Sequence, residues 1–228
     1  MRKYLFFYCI ISIGLFAEIC EENYPDKIPL FGDLHVHTAL SLDAATQGTI
    51  NRPDDAYRYG KGESISIQPY KDGIGQRTSK LSQPLDFMSV TDHAELLGEV
   101  NICESPELVG YSNLVCLGYR YFPKLAYFYM NGMASLAKPI SFCGDDRKNC
   151  KEATRTPWQE IIKSAEKHNA PCKFTTFIGY EWTGAKYSGN NLHRNIIFEN
   201  SSVPELPVSF YDATSCLLYT SPSPRDDY

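Results

Sequence analysis

The sequence predicts an α/β fold with a largely parallel sheet. Short apolar runs at 28–36, 85–90, 174–180 and 195–198 read as strands. A strongly signalled helix separates the second run from the third. Polar residues able to do chemistry gather where the runs stop, as they do at the carboxyl end of a parallel sheet. With 228 residues, 43% hydrophobic and 13% aromatic, the chain can bury the core of one domain.

Residues 1–20 differ from the rest. Arg2 and Lys3 precede an apolar run at 4–16, then Ala17 and acidic residues follow. That is the layout of a secretory signal, and the run is too short to span a bilayer comfortably. A buried N-terminal helix is the ordinary alternative. The bulky Ile19 before Cys20 argues against lipidation. The mature protein is therefore expected to be exported, periplasmic or extracellular, with no membrane span.

Apart from Cys9 in the signal run and Cys216 in the tail, Cys20, Cys103, Cys116, Cys143, Cys150 and Cys172 form an even set, as expected of a disulfide framework in an oxidising compartment. Six cysteines allow fifteen pairings; the local pairs Cys103–Cys116 and Cys143–Cys150 are the ones we expect. No Cys-x-x-Cys pair supports a zinc site instead.

The strand at 28–36 follows Pro25 and runs into His37 and Thr38. Residues 41–83, rich in Gly, Asp, Asn, Ser and Gln, read as a long surface excursion. Its tyrosines at 57, 59 and 70 either line a carbohydrate or aromatic pocket or simply cover a loop. The second strand closes with Thr91-Asp92-His93. Residues 94–150, helical in places and carrying four of the cysteines, have the character of an insertion. Thr156, Pro157 and Glu160 predict a helix starting at Thr156 and running to about His168, where Asn169 and Pro171 stop it. The third strand precedes Glu181; a glycine-rich turn leads to His193 and the fourth strand. Residues 215–225 fit no element pattern. They resemble non-native sequence joined at about Thr214, or else form a Ser/Pro-rich disordered terminus.

The formal net charge of −5, with scattered Lys and Arg, excludes nucleic acid as a held partner. The chemistry-bearing residues are His35, His37, Asp43, Asp92, His93, Glu181 and His193. Imidazoles with carboxylates suit zinc, manganese or iron, whereas calcium takes oxygens. His35 and His37, two apart on a strand, point to one face. Each signal has an ordinary explanation: exposed histidines for the pair, a turn cap for Asp92, a strand-end acid for Glu181. Arg194 either meets a phosphate or lies solvated. What lifts the set is that four of five histidines fall beside acids at strand ends. The exception, His168, suits the negative pole of a helix C-terminus.

The segments Phe31-Gly32-Asp33-Leu34-His35-Val36-His37-Thr38, Asp86-Phe87-Met88-Ser89-Val90-Thr91-Asp92-His93 and Gly179-Tyr180-Glu181 resemble the polymerase and histidinol phosphatase (PHP) superfamily. The closer likeness, through 153–158 and 191–195, is to the exported domain-of-unknown-function family DUF3604. The resemblance covers about 28–214. It implies the N-terminal portion of a distorted seven-stranded, TIM-like β/α barrel holding two or three divalent metal ions that hydrolyse phosphate esters. By position it makes His35, His37, Asp43, His93, Glu181 and His193 metal ligands, Glu181 a bridge between ions, and Asp92 an orienting residue behind them. Glu181 and His193 are the residues expected to take part in catalysis. The superfamily's later Asp-x-His ligands have no counterpart here, since no histidine follows His193. Two other readings remain: an amidohydrolase-type barrel, which also opens with His-x-His, and a non-catalytic exported protein that binds a metal or small molecule.

Overall fold

A computed structural model describes residues 28–185 and 191–213. The predicted signal and tail lie outside them. The chain is mixed α/β, with a four-stranded sheet that curls into part of a barrel. The order of elements is β1 (Gly32–Val36), α1 (Leu42–Thr46), α2 (Pro53–Gly60), β2 (Ile65–Lys71), β3 (Ile74–Ser79), β4 (Phe87–Val90), α3 (Leu97–Glu104), α4 (Leu114–Tyr121), α5 (Pro123–Ser135), α6 (Lys148–His168), β5 (Thr175–Ala185) and β6 (Asn191–Phe198). In the main sheet β1 and β5 flank β4 in parallel, and β6 runs antiparallel to β5. The expected parallel sheet is thus confined to three strands. The fourth folds back as a hairpin arm, and β5 continues through Glu181 instead of ending before it.

Curvature shows in one contact. Asn195, on edge strand β6, donates its side-chain N–H to the Leu34 carbonyl on the opposite edge, 2.8 Å away. Strands three places apart in a flat sheet stand about 14 Å from each other, so only strong curling allows this bond. The concave face is where the polar residues collect.

The convex face is apolar. Met88 and Val90 from β4 and Ile178, Tyr180 and Trp182 from β5 pack against Trp158 and Ile161 of α6 and Tyr57 of α2. Burial of an aliphatic side chain such as Val90 or Ile161 stabilises the fold by about 1.5–3 kcal/mol. A second core lies under α3, α4 and α5 and contains the disulfides Cys103–Cys116 and Cys143–Cys150, the pairs expected from the sequence. Cys172 is disulfide-bonded as well. Among the described residues no helix is long and apolar enough to cross a membrane.

Two expectations are corrected. Residues 41–83 are not a structureless excursion: they form two short helices and the β2–β3 hairpin. Its turn is Asp72-Gly73, both at positive φ (52° and 75°), the dipeptide and geometry that match the twist of paired strands. The helix expected to open at Thr156 begins eight residues earlier, and Pro157 lies inside it. Proline has no N–H for the carbonyl four residues back. That carbonyl, on Ala153, accepts the side-chain N–H of Asn101 at 2.8 Å instead. A long-range amide does what the missing backbone donor cannot, so the helix continues.

Candidate metal centre

Glu181 is the hub. It is fully buried, with 0% of its surface exposed, on the concave face of β5. Its Oε2 lies 2.9 Å from His35 Nε2 and 2.7 Å from His37 Nε2; its Oε1 makes a short contact with His193 Nδ1. His37 Nδ1 lies 2.9 Å from Asp43 Oδ2. His93 stands between the two acids, 3.9 Å from Asp43 and 3.7 Å from Glu181. All six residues predicted as ligands therefore meet at one place, from β1, α1, the segment after β4, β5 and β6.

Local geometry explains the meeting. His35 lies in β1 and His37 just after it, so alternation aims both rings at the concave side. In the β5–β6 hairpin, His193 pairs with Thr183 and Asn195 with Glu181, which puts all four on that same face. Arg194 pairs with Trp182 and so faces the other way, away from the cluster. His93 is held beside Glu181 by backbone bonds on both sides: Glu181 N–H donates to the Asp92 carbonyl at 3.0 Å, and Ala94 N–H to the Glu181 carbonyl at 2.8 Å. His35, Glu181 and His193 thus sit within strands, not after them.

Asp92 is behind the cluster. It accepts the Thr38 N–H at 2.5 Å and the Thr38 hydroxyl at 2.7 Å, which fastens the turn that follows His37. Burial pushes its pKa up to about 6, against the pull of those two bonds. Ser41 adds a second tie by accepting the His93 N–H at 3.2 Å.

The charges fit cations. Both ring nitrogens of His37 face carboxylate oxygens, yet a neutral imidazole carries one N–H. The second contact needs an imidazolium or a cation in the proton's place. Burial alone would lower the His37 pKa, but the hydrogen bonds to Asp43 and Glu181 outweigh it and raise it to about 10. Burial also works against the charge on Asp43 and Glu181; their histidine partners prevail and hold both below the usual carboxylate range. His93 is the opposite case: burial depresses it to about 4, which leaves a neutral ring with a lone pair to donate.

Three overlapping triads have potential ligand atoms within 4.8 Å of one another: His35, His37 and Glu181; His37, Asp43 and His93; His93, Glu181 and His193. A mixed imidazole and carboxylate set of this kind suits zinc, manganese or iron. A fourth grouping of Glu99, Cys143 and Cys150 is of another nature, because its sulfurs are joined in a disulfide and offer no thiolate.

Sequence reasoning missed Thr183 and Glu95. The Thr183 hydroxyl lies 2.8 Å from His93 Nδ1 and 3.2 Å from His193 Nδ1, so it orients both rings. Glu95 accepts the Thr183 N–H at 2.9 Å and the Phe210 N–H at 2.5 Å. Burial raises the Glu95 pKa to about 8. No spacing pattern marks either residue; both depend on how β5 meets the segment after β4.

Fold and site together define a mixed α/β protein with a histidine–carboxylate cluster on the concave face of a curled sheet. A family model described as "Protein of unknown function (DUF3604)" matches residues 24–220, and the chain belongs to that family. No curated protein and no solved structure matches it.

Proposed function

We propose that this chain is an exported metal-dependent hydrolase that acts on phosphate esters. The observation that carries the reading is the convergence on Glu181 of three imidazoles, with Asp43 and His93 alongside. The resemblance of the His-x-His, Thr-Asp-His and Gly-Tyr-Glu segments to the PHP superfamily supports the phosphoesterase assignment over other hydrolases. On this reading the curled sheet is part of a distorted seven-stranded TIM-like barrel. The disulfides agree with export.

Two or three divalent ions would be held by His35, His37, Asp43, His93, Glu181 and His193. When bound, such ions act as Lewis acids and bring the pKa of water down to about 7. Glu181 turns one oxygen toward His35 and His37 and the other toward His193, and on this reading would hold more than one of the ions. Thr183 holds the His93 and His193 rings in fixed orientation, the role that partners behind the ligands commonly have. The His193 side chain is 43% exposed, second only to His35 at 56% among the residues around Glu181. Its Nδ1 faces Glu181 and Thr183; a protonated His193 that holds no ion would give its Nε2 proton to the departing oxygen.

The test is metal analysis of the purified full-length protein together with a panel of phosphate mono- and diesters, beside a His35→Ala/His37→Ala variant. We expect bound zinc, manganese or iron and turnover of at least one ester class, both lost in the variant. Undiminished turnover in the variant would end the assignment.

A further inference from the structure

We infer that the cleft beside the cluster reads a sugar: the polar strip Tyr127, Asn131 and Ser135 of α5 receives an uncharged, hydroxyl-bearing ring attached to the phosphate. This rests on the phosphoesterase reading above and names its substrate class. The three residues line the cleft together with Asp43, His93, Thr183 and His193. They are spaced four apart, so successive turns of one helix present them as a single stripe about 12 Å long. That is longer than a phosphate group needs.

Helix α5 is anchored along the adjoining face. Ala126, Met130 and Ala134 are buried in the disulfide-bearing core, which fixes the stripe relative to the cluster. All three stripe residues are half-buried. Among the described residues, none of their side chains has a hydrogen-bond partner within the protein. Three half-buried polar groups on one face, all turned toward a cleft and none used internally, constitute unspent recognition capacity.

Their chemistry selects the ligand. An amide offers donors and an acceptor at once, and hydroxyls do the same, which suits vicinal hydroxyls of a sugar. The Tyr127 ring, with Leu42 and Leu96 also lining the cleft, offers apolar surface to the C–H face of such a ring. No lysine or arginine is among the lining residues, so a second phosphate or carboxylate would find no counter-charge.

Calorimetry on the metal-loaded full-length protein, with glucose 1-phosphate and inorganic phosphate as probes, tests this. We expect glucose 1-phosphate to bind at least about tenfold more tightly than phosphate, and Asn131→Ala with Ser135→Ala to remove most of that advantage, since each lost hydrogen bond is worth about a factor of five to ten. Phosphate binding should be unchanged in that variant, which also shows that it is folded. Equal affinity for the two probes in the wild type overturns the sugar strip and leaves the hydrolase reading intact. Binding of the sugar phosphate with no binding of phosphate supports the strip and overturns the cation-held phosphate. Binding of neither overturns both.

Discussion

Asn101→Ala should destabilise the protein through a helix in which Asn101 does not lie. Its amide N–H bonds the Ala153 carbonyl at 2.8 Å, where Pro157 leaves a gap in the ladder of α6. Ala153 is buried, so water does not replace the lost donor. An unsatisfied buried carbonyl costs about 1–3 kcal/mol. Against this, alanine is the better helix former within α3, by about 0.7 kcal/mol. The net loss should be about 1–2 kcal/mol, read as a shift of the urea midpoint at constant slope. The mechanism is checked by a double-mutant cycle. Pro157→Ala restores an N–H for Ala153, so Asn101→Ala in that background should cost little, with a coupling of about 1 kcal/mol or more. Strictly additive effects would refute the idea that the amide substitutes for the missing backbone donor.

Zinc binding at pH 7 should release about one proton from His37, whose ring is held protonated to about pH 10. Calorimetric heats that do not change between buffers of different ionisation enthalpy would contradict this. Because the folded His37 pKa lies above its ordinary 6.5, the metal-free protein gains stability from this proton below pH 6.5 and loses it as the pH rises to about 10. Metal-loaded protein should lack that decline, which thermal melts across the range would record. Thr183→Val keeps the shape but removes the hydroxyl between His93 and His193, and should weaken metal binding about 10–100-fold in a chelator competition; unchanged affinity would remove Thr183 from the account. Replacing Cys143 and Cys150 by serine opens a loop of seven-residue separation and should cost about 2 kcal/mol on the chain-entropy view. Denaturant midpoints measured without reductant give the answer.

The site was more legible in the sequence than the fold. His35, His37, His93, Glu181 and His193 each follow or occupy a strand, and strand alternation settles which way most of them face, whereas Asp43 comes from helix α1. Thr183 and Glu95 carry no such mark, because a threonine or a buried glutamate acquires its role only when distant segments meet. The misplaced start of α6 has the same origin. Thr156 and Pro157 are a sound local signal for a helix start, and the signal fails here because Asn101, fifty-odd residues away in the chain, satisfies the carbonyl that proline strands. The Asp72-Gly73 turn is the contrary case: its signal was present and was outweighed by the polar composition around it.

The bond from Asn195 to Leu34 brings the two margins of the sheet together, and Glu181 reaches from β5 to histidines on both of them. On the proposed metal reading, ion occupancy and sheet curvature would be one thermodynamic variable. Anything that flattens the sheet would separate His35 from His193 and weaken a grip on ions, and by reciprocity ion loading would tighten the curl. Amide protons toward the end of β6 farthest from His193, such as those of Ile197 and Phe198, should then exchange more slowly when ions are added.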